Sequence, residues 1–328
     1  MLHLVRNNSP YTAILLFLLT LTLHLQALTH AVLPHAEASQ FFYGWLLHGL
    51  SYIFGKSAFA YTLFSVLLLF VQALIINRLA IRHRLFMHQH YLPAFCFIVL
   101  SSLNPALSVF GAPLICNFLL LGVMHLLLAS RNHQNANKQI FNLGFLIMPA
   151  ALLEFPAVVF VLYAFVALLI IRPFSFREWM VMLLGLVMPL YILVVILFCT
   201  DKLQLLHLWP ELGVSLPRQL KPAEYYLGVA GGLIVWLCIC VYNMQSQLPK
   251  APIFIRRSWI VVTLLLFFSL IAACFTAPSV QGGWMICLPA LSLILAQAFS
   301  HERNKKVNRI SFYFVLALVI FAQIFLPL

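Results

Sequence analysis

The feature that most constrains this chain is a succession of apolar runs, each about as long as a bilayer-spanning helix. A hydrocarbon core about 30 Å thick requires roughly 20 apolar residues of helix, because a loop or open strand would leave backbone groups unpaired in lipid. Only 8% of the residues are charged, far fewer than in a soluble domain. The predicted spans are residues 11–29, 57–77, 92–108, 112–129, 139–153, 156–171, 179–199, 226–243, 258–276, 284–299 and 310–326. We therefore predict an all-α, polytopic membrane helical bundle with about eleven transmembrane helices, forming a single membrane domain over residues 1–328.

Lysines and arginines are distributed unequally between alternate loops, and this predicts the orientation of the chain. Cytoplasmic loops of membrane proteins carry an excess of these cations. Of the 19 cations, only Lys56, Lys202, Arg218 and Lys221 fall in one set of loops. The other set holds the remaining fifteen. This predicts a cytoplasmic amino terminus and a carboxyl terminus outside.

Residues 139–171 leave two alternatives open. The runs 139–153 and 156–171 are short and are joined by Glu154-Phe155-Pro156, so they could form a tight hairpin of two spans or one broken helix. A single span would invert every later loop and would place the basic clusters at 250–257 and 303–309 outside. The charge pattern therefore favours the hairpin.

The first outer loop is too long for a simple connection and contains the first candidate site residue. Its segment 40–54 is rich in aromatic residues, which predicts a helix lying in the membrane interface. Glu37, flanked by His30 and His35, is the only acid between the first two spans and could act as a general base. The alternative is a solvated carboxylate near a helix start.

The second outer loop, 201–225, mixes cations, acids and a tryptophan. This composition could hold the phosphate of a lipid carrier, with Asp201 and Lys202 at its start and Arg218 and Lys221 further along. The alternative is an ordinary amphipathic surface loop. Glu154 differs from these residues because an acid at a membrane boundary is costly, which makes it a functional-site candidate with an outer cation as its expected partner.

Other site classes receive little support from the sequence. The cations lie in short clusters between apolar runs, so they indicate topology and not a nucleic-acid groove. The seven cysteines lie in or beside apolar runs, which predicts neither a disulfide framework nor a zinc site. We predict no metal site among the histidines, since His83, His88 and His90 lie in an arginine-rich loop. The expected partners are membrane lipids and no nucleic acid.

One segment resembles a known family. Arg172-Pro-Phe-Ser-Phe-Arg-Glu-Trp179 looks like part of an uncharacterised family of Bacteroidota integral membrane proteins, and the resemblance extends over about residues 60–200. It implies a bacterial cytoplasmic (inner) membrane protein but no established activity. Arg172, Arg177, Glu178 and Trp179 could form a cytoplasmic docking loop for other membrane proteins, or could simply anchor the chain at the interface.

The order of spans and loops is similar to that of the GT-C superfamily of polyprenyl-phosphate-dependent glycosyltransferases. The resemblance implies a GT-C-like module over about residues 1–200 with additional spans over about 226–328. It further implies Glu37 as the base, Lys202, Arg218 and Lys221 near the lipid phosphate, and a polyprenyl-phosphate-linked sugar as donor, with a divalent metal left open.

This chain departs from the usual GT-C pattern, because its first outer loop has no Asp and no second acid lies near residues 108–112. An inactive relative is therefore also open. We expect a glycosyltransferase, active or degenerate, ahead of a noncatalytic subunit of a larger membrane complex. A transporter comes third, and would need Glu154 to face a water-filled path.

Overall fold

A computed structural model describes residues 10–37, 40–86, 90–131, 135–207, 223–248, 251–276, 282–300 and 305–325. Over these ranges the protein is built from thirteen α-helices and a few 3-10 turns, and the described residues contain no strand. The predicted all-α fold class is therefore confirmed.

Each predicted span coincides with a helix or with a helix and an adjoining 3-10 turn. The first span is divided into α1 and α2 at His24, whose ring Nδ1 lies 2.9 Å from the Thr20 carbonyl oxygen. The helices are α1 Pro10–Leu23, α2 Leu25–Thr29, α3 Phe41–Phe54, α4 Ala58–Arg82, α5 Leu92–Ser102, α6 Ala112–Ser130, α7 Asn137–Leu153, α8 Val159–Ile171, α9 Phe176–Cys199, α10 Ala223–Gln247, α11 Ile253–Phe275, α12 Leu288–Ser300 and α13 Lys305–Phe325.

Five helices are long and apolar enough to cross a bilayer by length and composition: α4, α6, α9, α10 and α11. Five shorter apolar helical stretches correspond to other predicted spans: Tyr11–Leu23, Leu92–Ser102, Phe155–Ile171, Gly283–Gln297 and Phe312–Gln323. Helix α7 belongs to neither group. This is the composition of a membrane protein, because a soluble fold would have no polar face with which to cover so many apolar helices.

Contacts between helix ends group these ends at two poles of the bundle. At one pole α8 ends beside α6, where Arg172 Nη1 donates to the Ser130 carbonyl at 2.7 Å. The start of α11 meets the end of α4 at the same pole, where Trp259 Nε1 donates to the Leu85 carbonyl at 3.1 Å. We call this end of the bundle the Arg172 pole.

The opposite end is the Glu154 pole. There the Thr276 hydroxyl, just after α11, lies 2.9 Å from Glu154 Oε1 in the connection between α7 and α8. The last helix meets the first at this pole, because Gln323 Nε2 donates to the Leu23 carbonyl at 3.1 Å.

Residues 137–171 form a hairpin. Glu154 is extended, with φ −148° and ψ 111°, and separates the two helices. With its amide oriented by its hydrogen-bond partners, Asn137 at the start of α7 accepts from Arg177 Nε at 3.3 Å, so α7 begins at the Arg172 pole where α8 ends. The two helices are therefore antiparallel, which is the alternative favoured by the charge pattern.

The segment predicted as an interfacial helix is helical, and its faces are unequal. On one side of α3, Tyr43 is buried and its hydroxyl donates to the Phe110 carbonyl at 3.0 Å. On the other side, Tyr52 and Ile53 are exposed. The helix is thus confirmed, while its position in a membrane interface stays a prediction.

Helices α7 and α9 touch through two glycines. A Cβ built on Gly144 would overlap the Met182 carbonyl oxygen, and one built on Gly185 would overlap the Phe141 carbonyl oxygen. Helices in lipid associate closely where small residues allow their backbones to approach. This crossing fixes the relative position of the two helices that reach the candidate site.

Candidate functional site

A small apolar cluster at the Glu154 pole joins three elements that carry or adjoin predicted site residues. Phe41 at the start of α3 packs with Leu152 at the end of α7 and with Leu193 and Leu197 near the end of α9. All four side chains are buried. We call this group the Phe41 cluster. Because it holds the three helix ends together, it determines which loop residues can meet at the surface above it.

Glu37 lies four residues before Phe41 and is half-buried. Its carbonyl accepts a hydrogen bond from the Gln40 backbone N–H at 3.0 Å, which turns the chain into α3. The preceding segment lies along the same helix, since a Cβ on Gly44 would come 3.8 Å from Ala36 Cβ. His35 is exposed. The segment before α3 thus holds Glu37 beside the start of that helix, close in sequence to the Phe41 cluster.

Asp201 and Lys202 are exposed at the end of α9, four and five residues after Leu197. The Lys202 N–H donates to the Leu197 carbonyl at 2.9 Å, and the Asp201 N–H donates to the Phe198 carbonyl at 3.2 Å. Asp201 has a left-handed backbone with φ 53°. These features form a Schellman cap, so Asp201 has a structural role in ending the helix. The cap holds the Lys202 backbone in a fixed position at the surface.

Arg218 and Lys221, the other two predicted phosphate-binding cations, lie outside the described residues.

Glu154 is placed differently from the other acids, because its side chain is only 3% exposed. One carboxyl oxygen, Oε1, lies 2.9 Å from the Thr276 hydroxyl oxygen, and the other is buried without a hydrogen-bond partner. Burial is the larger influence on this group and raises its pKa to about 7, while the bond to Thr276 acts in the opposite direction. Glu154 therefore faces the interior of the bundle.

The predicted site residues thus fall into two groups at one pole. Glu37 lies four residues before Phe41 and Lys202 five residues after Leu197, so both adjoin the Phe41 cluster along the chain, whereas the Glu154 carboxyl is turned toward α11. Charged groups that adjoin one surface can act on a single ligand. A buried carboxyl is suited to a different role.

The predicted docking loop makes its polar contacts within the chain. Arg172 donates through Nε to Glu178 Oε2 at 3.1 Å and through Nη2 to Glu178 Oε1 at 2.8 Å, in addition to its bond to Ser130. Trp179 packs between Phe165 and Phe174, with ring centroids 4.9 Å from each. These contacts give the loop an intramolecular anchoring role, and docking of a partner there stays a prediction.

Several histidines have side-chain contacts within the protein that account for their positions without a metal ion. His83 Nε2 lies 3.0 Å from His125 Nδ1, and His24 Nε2 lies 3.3 Å from the Ser101 hydroxyl. His83 has a pKa lowered to about 4, first by burial and then by His125, Arg131 and Arg82. Nearby arginines disfavour a metal cation at this pair. Among the described residues no three His, Cys, Asp or Glu side chains are grouped to hold a metal ion.

Comparisons with known proteins give no family assignment. No protein-family model matches the chain, and neither a curated protein nor a solved structure shows significant similarity to it. Function must therefore be inferred from the site itself.

Thr276 is a site residue that sequence reasoning missed. It directly follows α11 and is 122 residues from Glu154. A threonine at the end of an apolar run has no distinctive pattern, because hydroxyl side chains are common at helix ends. The available signal was Glu154 itself, since a carboxyl buried between helices must find a polar neighbour.

Proposed function

We propose that the chain crosses the bacterial cytoplasmic membrane eleven times, with the Arg172 pole in the cytoplasm. The grouping of helix ends at two poles and the distribution of cations support this topology. The described Arg172 pole carries Arg78, Arg82, Arg84, Arg131, Lys138, Arg172, Arg177, Arg256 and Arg257, whereas the described Glu154 pole carries Lys56 and Lys202.

Fusions to a phosphatase that is active only outside the cytoplasm test this orientation. A fusion after Lys56 should be active and a fusion after Arg84 inactive. The reverse result would overturn the proposed topology.

We further propose that the outer, Glu154 pole binds a polyprenyl-phosphate-linked sugar and transfers the sugar to an acceptor hydroxyl, as in the GT-C superfamily. The observation that carries this proposal is the Phe41 cluster, which ties the loop of Glu37 to the end of the helix that presents Lys202. This link between the two chain segments supports a role for Glu37 as base and Lys202 as phosphate-binding cation at one surface. That surface would lie at the height of lipid headgroups, where a lipid-linked donor places its phosphate.

The chemistry assigned to each group follows from its charge. The Glu37 carboxylate accepts the proton of the acceptor hydroxyl while the hydroxyl oxygen attacks the anomeric carbon of the sugar. The bond between that carbon and the phosphate oxygen breaks, and the electron pair leaves with the polyprenyl phosphate. Lys202 stabilises the negative charge of this leaving group, with Arg218 and Lys221 as further proposed partners.

Binding of a synthetic polyprenyl phosphate to the protein in lipid nanodiscs tests the cation. Lys202→Ala should weaken binding by about tenfold, because a charge-assisted hydrogen bond contributes roughly 1.5–3 kcal/mol. Lys56→Ala is the matched control: this exposed lysine lies beyond the far end of α3, about 20 Å along the helix from Phe41. Equal binding by both variants and the unmodified protein would contradict the assignment of Lys202.

The role of Glu37 is tested separately, by transfer from a panel of polyprenyl-phosphate sugars to hydroxyl acceptors. Glu37→Gln should retain binding of the lipid phosphate and lose transfer by about 10²-fold or more, as expected for a general base. Transfer that survives this substitution would exclude Glu37 as the base. Loss of binding together with transfer would instead indicate a structural role for Glu37.

A further inference from the structure

The carboxyl of Glu154 is in a setting that suits the neutral acid. It belongs to the connection between α7 and α8, and its only hydrogen-bond contact among the described residues is the Thr276 hydroxyl at 2.9 Å. Its second oxygen, Oε2, is fully buried and receives no hydrogen bond. An ionised carboxylate has about four acceptor positions, and leaving most of them empty away from water is costly. A protonated carboxyl needs far fewer partners.

Among the described residues, no opposite charge offsets the burial of the Glu154 carboxyl. Within the described ranges, no lysine, arginine or histidine forms a salt bridge with Glu154, and the ion pair seen there, Arg172–Glu178, is at the opposite pole. A buried carboxylate without a cation is unstable relative to its protonated form.

The hydrogen-bond partners of Thr276 also favour the protonated form of Glu154. Its hydroxyl oxygen lies 2.9 Å from Glu154 Oε1 and 3.1 Å from the Ala272 carbonyl oxygen. A hydroxyl has one hydrogen but can accept others. Both contacts become full hydrogen bonds when Glu154 donates its acid proton to Thr276, and Thr276 donates to Ala272. With an ionised Glu154, the single hydroxyl hydrogen would have to serve two acceptors.

The surrounding elements supply no competing charge among the described residues. From α6, the titratable group that faces Glu154 is the thiol of Cys116, whose Sγ lies 3.9 Å from the Ala150 carbonyl oxygen and which interacts electrostatically with the carboxyl. From the turn before α12, Gly283 faces Thr276, and a Cβ there would come 2.6 Å from Thr276 Cγ2. A bare glycine thus allows Thr276 to pack against this turn.

We propose that Glu154 and Thr276 form a proton-binding site at the outer pole, and that the bound proton holds the end of α11 against the α7–α8 connection. Loss of the proton leaves a buried negative charge, which is relieved when the two elements separate and water reaches the carboxyl. The site goes beyond the proposed glycosyltransferase function and does not depend on it. The raised pKa of Glu154, about 7, places its titration near neutral pH.

Infrared difference spectroscopy of the protein in nanodiscs, between mildly acidic and alkaline pH, tests the site directly. We expect a carbonyl-stretch band of a protonated carboxylic acid that is lost as pH rises through about neutrality. Glu154→Gln should abolish this band. The matched control is Glu37→Gln, which removes a half-buried carboxylate at the same pole and should leave the band in place. A band that persists in Glu154→Gln would overturn the proposal.

A second pair of variants tests the contact with Thr276. Thr276→Val removes the hydroxyl at nearly constant volume and should shift the acid band to higher frequency, because the carboxylic acid loses its hydrogen-bond partner. Thr263→Val is the control on the same helix, since the Thr263 hydroxyl donates to the Trp259 carbonyl at 2.9 Å and not to an acid. Identical spectra for the two variants would refute the pairing.

The proposed separation has its own readout. Amide hydrogen exchange in the last turn of α11 should accelerate as the pH rises through neutrality. This acceleration should exceed the intrinsic rise in exchange rate with pH, for which α4 is the reference in the same sample. Glu154→Gln, which cannot ionise, should remove this excess. A wild-type protein without the excess would contradict the proposed separation of the two elements.

Discussion

Replacing Gly185 by alanine should destabilise the protein, although alanine is the better helix former. In α9, a Cβ at this position would overlap the Phe141 carbonyl oxygen and lie 3.1 Å from Phe141 C and 3.2 Å from Phe145 N. These are backbone atoms, so no side-chain rotation can relieve the overlap. Helices α7 and α9 must move apart.

The expected magnitude follows from two opposing effects. Alanine in place of glycine favours the helix by at most about 1 kcal/mol. Overpacking of a tight contact costs about 1–3 kcal/mol, and a contact against backbone belongs at the upper end of that range. We therefore expect a net loss of about 1–2 kcal/mol in the free energy of unfolding.

Unfolding by sodium dodecyl sulfate in mixed micelles, followed by circular dichroism, measures this difference. Gly231→Ala is the matched control, because Gly231 lies inside α10 and no atom comes within 4 Å of the position that its Cβ would occupy. That variant should be as stable as the unmodified protein or up to about 1 kcal/mol more stable. If Gly185→Ala proves as stable as Gly231→Ala, the close crossing of α7 and α9 is wrong.

The two glycines at this crossing should also be coupled. A Cβ on Gly144 would overlap the Met182 carbonyl oxygen and lie 2.9 Å from Leu186 N. Once one alanine has separated the helices, the second meets less resistance, so the double variant should lose less stability than the sum of the single losses. Strict additivity would argue that the glycines do not share one interface.

Three other outcomes follow from the described contacts. Asp201→Gly should raise stability by up to about 1 kcal/mol by relieving its left-handed backbone, whereas Lys202→Gly should bring no gain, as measured by thermal melting. Arg172→Lys should lose about 1–3 kcal/mol, because lysine cannot reproduce its paired bonds to Glu178. Arg257→Lys, at an exposed position, should lose less than about 0.5 kcal/mol in the same assay. Because folding raises the pKa of Glu154 from 4.5 to about 7, its stabilising contribution of about 3 kcal/mol should be complete below about pH 4.5 and lost as the pH rises through 7. Chemical unfolding across this range should show the free energy of unfolding falling as the pH rises, and this pH dependence should be weaker in Glu154→Gln. An unchanged pH dependence in that variant would refute the assignment.

The helical segments were predictable because each must satisfy its backbone hydrogen bonds locally in an apolar surrounding. That requirement imposes long apolar runs, which can be read without knowing any neighbour. The hairpin at Glu154 was predictable for a related reason, since the direction of each segment is marked by the cations at its end. The helix Phe41–Phe54 was likewise indicated by its aromatic residues.

Partner choice between segments could not be predicted, because it depends on contacts distant in sequence. The doublet Gly231-Gly232 illustrates this: a Cβ on Gly232 would meet Leu318, whereas Gly231 faces open space. The inward direction of the Glu154 carboxyl was equally hidden, since it depends on a threonine that joins the site only through the packing of α11. Apolar sequence determines that helices form, but their pairing depends on side-chain shape at a few positions.

The bond between Gln323 and the Leu23 carbonyl has a consequence for biosynthesis. These residues are 300 positions apart, and Gln323 Nε2 also lies 3.5 Å from the Ser102 carbonyl oxygen. At a translation rate of about 5–20 residues per second, roughly 15–60 s pass between the synthesis of the two partners. During that interval the first helix must wait in the membrane without its final neighbour. The first helix can already pack against α4 and α5 in that interval, since His24 lies 3.3 Å from the Ser101 hydroxyl. A chain released before the last helix would therefore keep these earlier contacts and lack the closing bond of Gln323.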